Sequence, residues 1–511
     1  MTRLDKPIPL HLQFIRQAKA NPQKLAFIDR STGRRLTYGR TLIAALILAA
    51  KLRKYRDGYI GVMVPTSAGC GLTIMAALFS GKVPVMINYS TGAEANARFA
   101  QQRCGFKTII TSRALLEKIG CHKTEGMVFI EDILDEVSIF NKITAAAKSS
   151  FPDFLLQKSV YRSAADDTAV ILFTSGSEKL PKGVELTHRN IGSNVQAAVD
   201  HFQLTSDDTM MAILPLFHVF GQSLNLWLPL TRGMTNVTYG NPLEFKNVAQ
   251  IIREEKPTML VGTPFFLAGY LKQSKAGDFS SLRLIVAGAD KVPDWLRAAF
   301  KEQHSAELLE GYGTTETSPA ISANSPGANK PGSVGLPLPG VDVRIVDVDS
   351  GEILPAGREG KILVRGDLVM KGYFDDLEET MLHIENGWYE TGDMGVIDED
   401  GYLWHKGRLK RFVKIGGEMV SLVQVETVLE TLLPQDVECC VVEIPDARKG
   451  ANLAVAITSD IKQKEIIAAL TGKLPPVSVP RKFIVLEELP KMGSGKVDFR
   501  TTTLMVQELI G

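Results

Sequence analysis

Four short segments of this 511-residue chain hold the residue types and spacings best suited to chemistry. The first, Phe173-Thr-Ser-Gly-Ser-Glu-Lys-Leu-Pro-Lys-Gly-Val184, follows an apolar run and joins Thr174, Ser175, Gly176 and Ser177 to Lys182. Backbone N–H groups, hydroxyls and an ammonium in one flexible loop can surround a polyphosphate. It is not a Walker A loop, which after Gly176 would need Gly at Pro181 and Ser or Thr at Gly183. The competing reading is a Gly/Ser surface turn. The second, Glu310-Gly-Tyr-Gly-Thr-Thr-Glu-Thr-Ser318, offers Tyr312 to stack on a purine, hydroxyls to reach a phosphate, and the Glu316 carboxylate as a hard oxygen ligand for Mg²⁺. The third, Gly387-Trp-Tyr-Glu-Thr-Gly-Asp393, ends in a carboxylate able to accept hydrogen bonds from a ribose diol, although alone it reads as an ordinary turn. The fourth, Pro490-Lys-Met-Gly-Ser-Gly-Lys496, sets a lysine on a glycine-rich loop, a pattern shared with solvated basic loops.

These segments need a scaffold. From about Tyr59, short β-branched runs (Tyr59–Val64, Val83–Asn88, Thr108–Thr111, Ala169–Phe173, Met210–Leu214, Thr258–Val261, Leu284–Ala287) alternate with helical patterns such as Pro242–Glu255 and Pro293–Gln303. That alternation predicts parallel, doubly wound α/β layers. After about Gly332 the texture changes to short strands and Gly/Pro/Asp turns (Val341–Val348, Gly360–Val364, Val396–Trp404), which predicts a small antiparallel, β-rich unit over about 333–407. Beyond Gly407–Lys410 a strand/helix mixture of about a hundred residues reads as a separate α+β domain. The expected division is therefore a body over 1–407 and a smaller domain over 408–511.

Composition narrows the class. Hydrophobic residues make up 45% and charged residues 23%, as in folded globular chains. Lys and Arg total 58 against 57 Asp and Glu, so no global field favours nucleic acid, and none is expected as a partner. The five cysteines form no C-x-x-C pair, which fits a reduced cytoplasm. The start of the chain carries charges and prolines where a signal peptide needs an apolar core, and no export is expected. The apolar run Leu42–Ala50 is about half the length that spans a bilayer and reads as a buried helix.

The order and separations of the four segments, with Pro215-Leu-Phe-His-Val-Phe-Gly221, Ala287-Gly-Ala-Asp290 and Gly407-Arg408, extend along nearly the whole chain. Together they resemble the adenylate-forming superfamily of acyl-CoA synthetases, peptide-synthetase adenylation domains and luciferases. Within it, Arg283–Lys291, Lys410–Leu422 and Gly493–Phe499 are most similar to the acyl-[acyl carrier protein] synthetase portion of the bifunctional 2-acylglycerophosphoethanolamine acyltransferases. Glu178 stands where Thr or Ser is common elsewhere in the superfamily.

The resemblance implies activation of a carboxylate by MgATP to an acyl-adenylate, release of pyrophosphate, and transfer of the acyl group to a thiol. It implies that Thr174, Ser175, Gly176, Ser177 and Lys182 cradle phosphates, that Gly288, Ala289 and Asp290 line adenine with Tyr312 stacked on it, that Thr315 hydrogen-bonds the α-phosphate, and that Gly313 and Thr314 belong to the nucleotide-binding set. Glu316 would hold Mg²⁺, and Asp393 and Arg408 the ribose hydroxyls. Lys496 would bridge the carboxylate and the α-phosphate, His218 would belong to the catalytic set, and Lys410 would be the hinge of a mobile lid.

Phe217, Phe220, Trp227, Phe265, Phe266 and Leu267 are apolar residues near the expected acid tunnel, and no carboxylate in 217–224 is placed to meet an α-amino group, which favours a fatty acid over an amino acid. Acyl carrier protein is the acceptor the resemblance implies, with coenzyme A or a fatty acyl-AMP ligase as the alternative. Lys406, Arg408, Lys410, Arg411 and Lys414 offer a local basic cluster, although residues 408–511 hold 14 basic against 13 acidic side chains. No histidine has Asp five residues later, so the H-x-x-x-x-D acyltransferase pair is not expected here. A peripheral position at the inner face of a membrane is compatible with this reading but encoded in no segment.

Overall fold

A computed structural model describes residues 8–174, 181–415, 418–434, 437–446, 450–491 and 497–510. The described residues up to 174, 181–343 and 364–389 form one compact unit, and 344–363 with 390–510 form another.

The first unit contains two large sheets. The nine-stranded sheet runs Leu336–Pro337, Ala320–Ala323, Leu308–Gly313, Leu284–Ala287, Met259–Gly262, Thr209–Ala212, Thr235–Thr238, Leu25–Asp29, Arg34–Thr37. The seven-stranded sheet runs Gly372–Tyr373, Gly183–Thr187, Thr168–Phe173, Val83–Met86, Tyr59–Met63, Ile109–Thr111, Met127–Phe129. Central pairings are parallel in both, and the antiparallel pairs lie toward the edges. Every β-branched run singled out between Tyr59 and Ala287 is a strand within two residues of its expected bounds, because strands covered on both faces must be apolar along their length. The expected helices are Phe245–Glu255 and Asp294–His304, and Leu42–Ala50 lies inside the buried helix Tyr38–Leu52.

In the second unit, the strands Trp388–Ile397 and Leu403–Arg408 pair antiparallel, with Asp393 opposite Arg408. Cys439–Asp446, Gly450–Ile457 and Lys482–Val485 form a three-stranded sheet with helices Leu422–Glu430, Gln463–Thr471 and Phe499–Ile510. Its core includes Val425, Leu429, Val441, Val455 and Leu470. The expected mixed α/β class, with a large body of α/β layers and a smaller C-terminal part, is what the structure has. The five thiols are not bridged. Among the described residues, no helix is long and apolar enough to cross a membrane.

Candidate active site

In open α/β sheets, ligands bind where the chain leaves the carboxyl ends of strands. Two of the predicted segments leave neighbouring parallel strands at that end. Leu284–Ala287 runs into Gly288, Ala289 and Asp290, and the adjacent Leu308–Gly313 carries Tyr312 and Gly313 at its last positions. Ala289 holds φ +68°, a left-handed conformation that costs a residue with a Cβ and is typical of places where a loop is shaped for a ligand. Its side chain and that of Asp290 are exposed. A Cβ at Gly313 would sit 1.8 Å from the Pro319 carbonyl oxygen, so only glycine lets the chain fold back this closely after Tyr312. Thr314 then caps a single 3₁₀ turn, Thr315–Thr317, that presents Thr315 and Glu316.

Two residues of the expected phosphate loop, Thr174 and Lys182, flank the paired strands Thr168–Phe173 and Gly183–Thr187 in the other sheet of the same unit. Thr174 follows the strand Thr168–Phe173; its N–H donates to the Lys182 carbonyl at 2.9 Å, and the Lys182 N–H donates to Thr174 Oγ1 at 3.2 Å. The two hydrogen bonds close the base of the loop. Ser175, Gly176, Ser177, Glu178 and Lys496 lie outside the described residues.

A side-chain network joins the two sheets' contributions. Lys182 Nζ donates to Glu379 Oε1 and lies 5.0 Å from the centre of the Tyr373 ring. The Tyr373 hydroxyl donates to Glu316 Oε1 at 3.0 Å, and Tyr389 is hydrogen-bonded to both Tyr373 and Thr314. His383 Nε2 is 3.0 Å from Glu379 Oε1. The structure thus brings Lys182, Thr314 and Glu316 together. Lys182 hydrogen-bonds Glu379 and holds its carboxyl below the usual range, while burial pushes the Tyr373 and Tyr389 hydroxyls up, so both tyrosines stay neutral donors. Tyr373, Glu379 and His383 were not found by sequence reasoning, since Gly372–His383 contains no glycine-rich loop or hydroxyl cluster to mark it.

Glu316 suits a magnesium ion: its second carboxylate oxygen is not taken by Tyr373, and the neighbouring Thr315 adds a hard oxygen. Among the described residues no cluster of three or more His, Cys, Asp or Glu could hold a metal. One protein carboxylate is nevertheless the donor set expected for Mg²⁺ that takes most of its ligands from phosphates and water.

His218 follows the strand Thr209–Ala212 and precedes a π-helical turn, Gly221–Trp227. Such turns often mark functional positions. Solvent reaches the imidazole, yet the surrounding protein is dense enough to lower its pKa to about 4, so it is neutral at pH 7. Phe217 is buried with its ring 4.5 Å from His218, and Phe220 lies against Gly288, where an added Cβ would be 3.3 Å from the ring. The segment expected to lie near the acid tunnel therefore adjoins the loop after Leu284–Ala287. Trp227 and Leu267 are fully buried, whereas Phe265 is exposed, so the apolar set does not line one surface. Gln222 and Ser223 are fully buried within the π turn, and among the described residues their side-chain polar atoms have no partner. They are able to hold a water or a polar ligand atom.

In the second unit, Asp393 is buried and its Oδ1 lies 3.0 Å from Arg408 Nε, with Arg408 Nη1 donating to the Thr391 carbonyl at 3.4 Å. The Thr391 hydroxyl accepts the Asp393 N–H at 3.1 Å and donates to the Ile362 carbonyl. The spacing of Asp393 and Arg408 on paired strands makes them direct cross-strand neighbours. Lys410 is exposed in a short 3₁₀ turn, Leu409–Arg411.

The chain is similar to known proteins along nearly its whole length. The family described as AMP-binding enzyme matches residues 14–374, and the AMP-binding enzyme C-terminal domain matches 424–496. A 4-coumarate–CoA ligase-like protein of Oryza sativa subsp. japonica is 30% identical over 97% of this chain and 93% of its own. A long-chain-fatty-acid–CoA ligase of Bacillus subtilis is 29% identical over 91% of this chain and 89% of its own. The ATP-bound structure of MatB from Rhodopseudomonas palustris superimposes with a TM-score of 0.83 at 25% identity, covering 99% of this chain and 100% of that one. The chain belongs to the AMP-binding enzyme family and is an AMP-forming acid–thiol ligase.

Proposed function

We propose that the chain activates a fatty acid with ATP to an acyl-adenylate, releasing pyrophosphate, and passes the acyl group to the phosphopantetheine thiol of acyl carrier protein. The observation that carries the first half is the convergence of Lys182, Thr314, Thr315 and Glu316 through Tyr373, beside the loop of Ala289 and Tyr312. Two anions, the carboxylate and the α-phosphate, have to meet before a bond can form, and fixed cationic and hydrogen-bonding groups offset their repulsion. Lys182, Thr174, Ser175, Gly176 and Ser177 bind the phosphates, Thr315 orients the α-phosphate, and Tyr312 with Gly288, Ala289, Asp290 and Gly313 receives adenine. Glu316 holds Mg²⁺, which when bound neutralises phosphate charge. Asp393, its carboxylate aimed by Arg408, accepts from the ribose hydroxyls. Neutral His218 lies on the side of the acid and orients it without adding a competing cation.

Residues 408–511 act as a lid that turns about Lys410 between the two half-reactions, bringing Lys496 to the carboxylate for adenylation. The fatty acid is supported by the buried Phe217 beside His218 and by the likeness to a protein named a long-chain-fatty-acid–CoA ligase. Carrier protein as acceptor rests on the resemblance of Arg283–Lys291, Lys410–Leu422 and Gly493–Phe499. Coenzyme A is the second reading, favoured by the CoA ligases among the relatives. The test is product formation from ATP and a long-chain acid with holo-carrier protein set against coenzyme A. Acyl-carrier-protein product supports the first reading and a CoA-only product overturns it. Absence of acid-dependent pyrophosphate release overturns both.

A further inference from the structure

Among the described residues, eight of the nineteen exposed large apolar side chains fall between 134 and 161. The helix Ile139–Ser149, started by a Ser138/Asn141 capping box, is inverted relative to an ordinary surface helix. It buries only Ala145 and turns its largest apolar side chains outward, with Ile139 75%, Phe140 72% and Ile143 62% exposed. The next helix, Asp153–Ser159, adds Phe154 and Leu155. A contiguous patch of this kind on a folded chain marks a contact surface.

Along the two helices the charge is predominantly basic, with Asp135 an exposed acidic side chain just before them. Residues 138–162 contain four basic side chains and one acidic, Asp153, and Asp153 is engaged by Gln157 at 2.9 Å and Arg16 at 4.0 Å. Glu136, just before the helix, is paired with Lys54 at 3.0 Å. Lys142, Lys148 and Lys158 are exposed, and among the described residues none of them has a carboxylate at salt-bridge distance. Protruding side chains with no groove between them suit a fluid partner that conforms to them, and lysines interleaved with Phe, Ile and Leu suit anionic headgroups above an acyl layer. We infer that the face formed by Ile139–Ser149 and Asp153–Ser159 seats the protein on an anionic lipid bilayer, in the interface and without crossing it. The inference stands apart from the choice of acid and acceptor.

The test is sedimentation of the intact chain, without substrates, with vesicles of phosphatidylcholine alone and with about one third phosphatidylglycerol. Binding to the anionic vesicles is expected, falling at least about ten-fold in Phe140→Ser/Ile143→Ser and losing its preference for anionic lipid in Lys142→Glu/Lys148→Glu. Neither pair touches the ATP site, so pyrophosphate exchange with a short, water-soluble acid should be unchanged and confirms folding. No sedimentation with either vesicle, or sedimentation insensitive to the Phe140/Ile143 pair, overturns the inference. Self-association by light scattering that the same pair abolishes overturns it in favour of a second copy of the chain.

Discussion

If Lys182 serves a phosphate of ATP, it has to leave Glu379 first, because its ammonium cannot stay on that carboxylate and reach a phosphate oxygen at full strength. Glu379 then competes with the nucleotide, and Glu379→Gln should tighten ATP binding. The size follows from exposure: the Lys182 side chain is 38% exposed and that of Glu379 28%, between a surface pair and a buried one. Pairs of this kind are worth about 0.5–1 kcal/mol after solvent screening, which corresponds to about a two- to five-fold lower Kd for ATP. Titration calorimetry at two salt concentrations reads it, and the gain should shrink as ionic strength rises. In a Lys182→Ala background the same substitution should give almost no gain, since the coupled partner is gone. Weaker binding by Glu379→Gln, or an equal gain with and without Lys182, would refute the argument and make Glu379 a support that aims the lysine.

Lys496→Ala should lower adenylate formation by about 10²–10³ while ATP still binds, checked by acid-dependent pyrophosphate exchange beside nucleotide titration; retained exchange would remove Lys496 from the reaction. Lys410→Pro, which fixes one backbone torsion at the proposed hinge, should spare adenylation and block acyl transfer, and equal loss of both half-reactions would count against that hinge. Stability should fall in acid through His11 and His188, buried with ring centres 5.1 Å apart and both held below their usual pKa mainly by burial. Because the folded value is depressed, to about 4 for His11, its contribution is complete above the unfolded value near 6.5 and is lost as pH falls from there toward 4. For His11 alone the loss between pH 7.5 and pH 5 is about 2 kcal/mol, read as a falling urea midpoint whose pH slope is reduced in His11→Gln; an unchanged slope would be the contrary result.

The parallel strands were legible because burial on both faces leaves a continuous apolar signature, as in Leu284–Ala287 and Thr168–Phe173. So was the end of Leu308–Gly313, where a ligand or a tight backbone approach demands glycine and hydroxyl in fixed order; Trp388–Ile397 was not, since Gly387–Asp393 reads as a turn and the expected strand Val396–Trp404 spans the turn before Leu403–Arg408. What sequence could not supply was the connection between them. Glu379 reaches Lys182 across nearly two hundred residues and Tyr373 reaches Glu316 across about sixty. An aromatic or an acid that works by facing a distant partner leaves no local pattern, because its neighbours in the chain answer to helix formation in Leu377–His383 rather than to the site. The same holds for Ile139–Ser149: its periodicity is that of any amphipathic helix, and only packing shows that the apolar face points away from the core. Sequence order therefore located the groups proposed to meet the nucleotide, while the groups that hold Lys182 and Glu316 in their resting state are properties of the fold. That division is why Glu379→Gln tests the structure in a way that Lys496→Ala, placed by motif alone, does not.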